Sequence, residues 1–132
     1  MPAIYTIMQT FRKQERLCGT IAIELLFTKG SSIFKHPLRL VWRFSNDTAG
    51  YRVLFSIPKR NFHRAVDRNR IRRLMRECYR KNKNLLHELK EGEGCDLAFV
   101  FSAKTIPEYK NMKPIIIFLL QRLNQEYAKT LH

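Results

Sequence analysis

Between Pro58 and Lys83 the sequence gathers eleven basic side chains: Lys59, Arg60, Arg64, Arg68, Arg70, Arg72, Arg73, Arg76, Arg80, Lys81 and Lys83. Only Asp67 and Glu77 oppose them, so this stretch carries +9 of the chain's formal net charge of +14. Most of these bases are Arg, whose planar fork donates two parallel hydrogen bonds to a phosphate and stacks on bases, where Lys offers a compact point charge. The chemistry such a run performs is binding: it neutralises a polyphosphate and releases its counterions. Like charges one helical turn apart repel, so a polyanion is the natural complement of a helix face of almost one sign. A membrane surface fits less well, because the apolar face that lipid would take is needed for the core.

No constellation for covalent chemistry accompanies this run. The acidic residues are scattered, with no H-x-E, no D-x-D and no nucleophile–base pair. Cys18, Cys78 and Cys95 are far apart and form no C-x-x-C, which argues against a zinc knuckle, a redox pair or a disulfide framework and for a reducing, cytoplasmic setting. His36, His63, His87 and His132 show no metal-ligand spacing, so no metal ligand is expected. The chain has 132 residues, 45% of them hydrophobic. That suits one small globular domain and excludes a disordered basic tail. The longest apolar run, Ile115 to Leu120, is far short of the ~20 residues a membrane span needs.

The basic run must be held by regular structure. Ile71, Leu74, Met75, Cys78, Leu85, Leu86 and Leu89 recur at i, i+3, i+4 and i+7, which predicts a helix with one inward face. It starts within 61–68 and ends at Glu91-Gly92-Glu93-Gly94. Asn69, Arg73, Arg76 and Arg80 fall on its outer side, with Arg72 and Lys83 on a flank. Asp67 is a cap or a favourable first-turn anion. Upstream, residues 14–28 read as a helix closed by Gly30 and two serines. Leu38 to Phe44 and Tyr51 to Ile57 read as strands of a hairpin around the turn cluster Ser45 to Gly50. Downstream come a buried strand from Asp96 to Ser102, a connector from Pro107 to Pro114 and a helix from Ile115 to Leu131. The order α-β-β-α-β-α describes an α+β protein.

The stretch Ser56-Ile57-Pro58-Lys59-Arg60, followed by Arg64-Ala65-Val66-Asp67-Arg68-Asn69-Arg70-Ile71-Arg72-Arg73-Leu74-Met75-Arg76-Glu77, resembles the protein subunit of bacterial ribonuclease P. That family carries an Arg-Asn-Arg motif followed by Ile, two basic residues and, further on, Arg-Glu, after a strand that ends in a basic pair. Glu15-Arg16-Leu17 with Phe27-Thr28-Lys29-Gly30 is similar to the family's opening helix, and Asp96 to Val100 to its third strand. The resemblance covers about residues 13–125. Residues 1–12 stand outside it as an N-terminal extension, leaving 13–132 as one RNA-binding domain.

The resemblance implies a small α/β sandwich similar to a ribosomal protein domain, with a left-handed β-α-β crossover through the Arg-Asn-Arg helix. It implies a non-catalytic subunit of an endoribonuclease that removes the 5′ leader from precursor tRNA. The catalytic RNA would do the chemistry with Mg2+ that the RNA mainly holds, and the protein alone would bind no cofactor. The implied partners are that RNA and precursor tRNA. Contacts to the RNA would come from Lys59, Arg60, Arg64, Arg68, Asn69, Arg70, Arg72, Arg73, Arg76 and Arg80, with Arg68 also supporting the fold. The single-stranded leader would lie in a cleft between the first helix and the sheet, at Phe27, at Ile23 where the family often has an aromatic, and at Val41 where a strand aromatic occurs. Two rivals remain: a protein nuclease acting alone, and a ribosomal-type or general RNA-binding protein with no part in cleavage.

Overall fold

The computed structural model describes residues 15–46 and 49–130; the extension 1–12 lies outside them. Helix α1 spans Thr20–Lys29. Strands β1 (Ser31–Lys35), β2 (Leu38–Ser45) and β3 (Gly50–Ser56) follow. The basic helix α2 spans Ala65–Asn82, with a 3-10 turn at Lys83–Leu85. Strand β4 (Gly94–Phe101) and helix α3 (Tyr109–Thr130) complete the chain.

The four strands form one sheet in the order β1-β2-β4-β3. β2 is antiparallel to both β1 and β4, and β3 is parallel to β4. The period of two along each strand sorts side chains to opposite faces. Leu38, Leu40 and Trp42 of β2, Val53 and Phe55 of β3, and Cys95, Leu97, Phe99 and Phe101 of β4 join the large core. That core is closed by Ile71, Met75, Cys78 and Tyr79 of α2 and by Met112, Ile116, Leu119, Leu120 and Leu123 of α3. Phe55 stacks on Phe99 with ring centroids 5.8 Å apart, and Tyr79 meets both rings at 6.0 and 6.1 Å. Rings this close contribute about 0.5–1.5 kcal/mol per pair beyond burial, and here they hold α2 to the sheet. Burial also pushes the Cys78 thiol up to about 11.

The opposite face is covered by less. Val41 and Ala98, partners in the β2–β4 register, pack with Leu17 and with Leu26 of α1. The small Ala98 lets α1 lie close. Gly30 completes the fit: its backbone N–H bonds to the Leu26 carbonyl at 2.8 Å. A Cβ there would meet that carbonyl, the Trp42 carbonyl at 2.8 Å and Val41 Cγ1 at 3.1 Å. Two of these are backbone atoms and cannot turn aside. Gly30→Ala is therefore expected to cost about 1–3 kcal/mol, as overpacking does, read as a lower midpoint in denaturant unfolding.

Five expectations need correction. The first helix begins at Thr20 rather than 14: Gly19 takes φ +101°, and Leu17 instead donates its N–H to the Val53 carbonyl at 2.9 Å while Arg16 bridges to β3. Ser31–Lys35 is a strand that the sequence reading missed. The two predicted strands do not pair with each other, because β4 lies between them; the real hairpin is β1–β2. The basic helix stops at Asn82, whose side chain bonds to the Cys78 carbonyl. Leu86 and Leu89 still pack on the core, but from a loop held by Asn124 at the Leu85 carbonyl and His87 N–H and by the Tyr51 hydroxyl at the His87 carbonyl. The last helix begins at Tyr109, which places Pro114 inside it. β3 and β4 do form a parallel pair joined through α2, the β-α-β unit that the family resemblance implied.

Candidate nucleic-acid interface

The approach to α2 is fixed before the helix begins. Ile57 and Phe62 are buried, and the Asn61 N–H bonds to the Pro58 carbonyl. Arg68 reaches back from the first turns and donates to the carbonyls of Phe62 at 2.7 Å and His63 at 2.9 Å. Its guanidinium thus ties down the loop, while Lys59, Arg60 and Arg64 stay exposed on that loop. Asp67 sits in the first turn, but no side chain caps the helix.

Asn69, Arg72, Arg73 and Arg76 line one bowl of about 290 Å³ on the outer flank of α2. Arg72 donates to Asn69 Oδ1 at 2.8 Å and approaches the Phe55 carbonyl on the outer edge of β3. Asn69 thereby orients the guanidinium. Burial, and after it the charges of Arg16, Arg72 and Arg73, hold the Arg76 pKa below its ordinary value. Opposing fields of this kind are relieved by an anion. Arg16 comes from the segment paired with β3, which sequence spacing could not bring to α2.

Other members of the basic run are set apart. Arg80 makes a bidentate pair with Glu77, which Lys81 also approaches at 3.8 Å, and the Arg80 contact draws the Glu77 carboxyl below its usual range. Lys83 pairs with Glu15 at 2.8 Å. Arg70 is exposed on the flank of α2 that faces α3.

The α1 side of the sheet carries a second basic and aromatic surface. Phe27 is 45% exposed and Ile23 half-buried against the small core. Val41 is only 6% exposed beneath α1, so it forms the floor of this surface and offers no stacking face. Arg39 lies over the exposed Phe34 ring at 5.7 Å, and the two are register partners beside Val100. Phe34 was not legible because Ser31 to Lys35 was not recognised as a strand, and without that strand the predicted strand around Arg39 had no cross-strand partner for it. Deeper in, Arg52 grips the buried Asp96 through two hydrogen bonds of 2.8 and 2.9 Å. Trp42 points to the other face, into the large core with Phe55, and Tyr51 packs against that core.

Among the described residues no three His, Cys, Asp or Glu side chains converge as a metal-ligating group, and no helix is long and apolar enough to cross a membrane.

A family model described as Ribonuclease P matches residues 11–124. The chain is 35% identical over 105 residues to a ribonuclease P protein component of Porphyromonas gingivalis, covering 76% of this chain and 77% of that one. It is 36% identical over 118 residues to the corresponding protein of Chlorobaculum tepidum, covering 80% and 77%. Among solved structures, the RNase P protein of Thermotoga maritima superimposes with a TM-score of 0.68 at 21% identity, covering 82% of this chain and 96% of that one. An RNase P protein mutant of Staphylococcus aureus gives 0.59 at 19% identity, covering 96% of each.

Proposed function

The chain belongs to the ribonuclease P protein family, and we propose from that membership how its two basic surfaces serve the maturation of tRNA 5′ ends. The outer flank of α2 binds the catalytic RNA, with Asn69, Arg72, Arg73 and Arg76 receiving phosphates and Lys59, Arg60 and Arg64 extending the contact. The α1 side of the sheet takes the single-stranded 5′ leader of precursor tRNA, where Phe27 and Phe34 offer faces to bases and Arg39 offers charge. Aromatic faces suit single strands because every base can stack on them.

The convergence of four basic side chains, Arg16 among them, around the Asn69 bowl is the observation that carries this assignment. In the same account the protein performs no bond-breaking step. Four of its acidic groups are held in ion pairs: Asp96 with Arg52, Glu15 with Lys83, Glu77 with Arg80 and Glu126 with Lys129. The RNA would then supply the chemistry and hold the magnesium. The cytoplasm suits such a role, with Cys78 and Cys95 as buried free thiols.

Reconstitution tests it. Added to a ribonuclease P RNA transcript at low magnesium, the protein is expected to restore cleavage of precursor tRNA at the mature 5′ end. Protein alone with magnesium is expected to give none. Failure to stimulate would favour a general RNA-binding protein, and cleavage by RNA-free protein would favour an independent nuclease.

A further inference from the structure

A further groove adjoins the α2 surface. It lies between α2 and the connection from β4 to α3, with a volume of about 410 Å³, within the range of small-ligand sites. From α2 it takes Arg70, Arg73, Leu74 and Glu77, spaced i, i+3, i+4 and i+7 along one stripe of the helix. Opposite stand Ile106, Pro107 and Tyr109. Leu74, Ile106 and Tyr109 also pack against the large core, so the floor is apolar and backed by rigid structure.

The charges at its rim decide what it suits. Glu77 is held by Arg80 and Lys81, and Glu108 by Lys110 at 3.4 Å. No carboxylate among the described residues forms an ion pair with Arg70 or Arg73, and both are exposed. Lys81 Nζ sits 5.3 Å from the Tyr109 ring centroid. The mouth is therefore cationic over an apolar floor. Arg73 lines this groove and also the Asn69 bowl. The shared Arg73 makes the groove and the bowl neighbours on α2.

We propose that the groove receives an unstacked base of the RNA whose phosphates occupy the Asn69 bowl. The base would rest on Leu74, Ile106 and Pro107, with Arg70 and Arg73 straddling its backbone. This rests on α2 being the surface that binds the catalytic RNA. An apolar groove with two rim arginines accepts a base that has left its helix, whereas a paired base offers no face to it.

The test exploits the different salt dependence of the two contacts. Phosphate neutralisation sets the log–log salt slope, while stacking on an apolar floor does not. Ile106→Lys adds a positive charge at the groove. It is expected to weaken binding to a ribonuclease P RNA transcript about tenfold at every salt concentration, with the slope not reduced, because the floor is lost. Ile106→Leu is expected to bind like the parent, and equal thermal midpoints of the two variants separate a lost floor from a lost fold. If Ile106→Lys destabilises the protein, Pro107→Lys against Pro107→Ala repeats the comparison from a loop position. Affinity equal to or above the parent's in the charged variants would overturn the proposal and leave the groove to another occupant. Failure of the parent protein itself to bind or stimulate the RNA would instead overturn the assignment of α2.

Discussion

Replacing Arg73 and Arg76 together with Ala is expected to lower affinity for the catalytic RNA on the order of a hundredfold, taking about 1.5 kcal/mol for each charged hydrogen bond lost. The more telling change is in salt dependence. Each phosphate contact contributes about 0.9 to the log–log slope on duplex-like nucleic acid, so the double variant should be shallower by about 1.8. The geometry singles these two out. Both line the bowl with Asn69 and Arg72, whereas the Arg80 charge is already offset by Glu77 and Arg68 is engaged with backbone carbonyls. Arg80→Ala is accordingly expected to change the slope less than Arg73→Ala. Filter-binding or fluorescence titrations across a salt series would show it, and an unchanged slope in the double variant would place the RNA elsewhere.

The second large effect concerns stability. Asp96→Ala removes a carboxylate that is almost fully buried and leaves Arg52, itself three-quarters covered, without its bidentate partner. Breaking a buried pair from one side costs about 3–5 kcal/mol. Some solvent reaches Arg52, so about 2–3 kcal/mol is the expected loss. At roughly 4 °C per kcal/mol for a domain of this size, the thermal midpoint should fall by about 10 °C. Replacing both partners with apolar residues of similar volume is expected to recover much of that loss, since the uncompensated charge goes with them. A double variant as unstable as the single one would show that Asp96 acts through something other than Arg52.

The elements that were legible in the sequence are those with strong local periodicity. Ile71, Met75 and Cys78 marked the inner face of α2, and Leu97, Phe99 and Phe101 marked a buried strand, because packing there follows the helix and strand repeats. The family resemblance also pointed to the α2 surface. What stayed hidden depends on distant partners. Leu17 looks helical by spacing, yet its backbone is claimed by Val53 across the sheet edge. Leu85, Leu86 and Leu89 continue the α2 pattern, yet the chain leaves the helix and is captured by Asn124 and Tyr51. The hairpin assignment failed for the same reason: adjacency in sequence suggested β2 with β3, and the residues that pair with both lie some forty to sixty positions later. At the site, Arg16, Phe34 and Arg39 were invisible because each acquires its place from a neighbour that local spacing does not supply.

The central position of β4 bears on the order in which the molecule can be made. β2 and β3 emerge from synthesis early, each able to pair with β4 and neither with the other. Until Gly94–Phe101 has been added, β3 lacks the strand on its inner side, and Phe55 and Tyr79 lack the Phe99 ring that joins them. The helix at the centre of the basic run is thus translated before the strand that fixes it to the sheet. The last third of the chain, which contributes few of the basic contacts, is what turns that charge into a shaped surface.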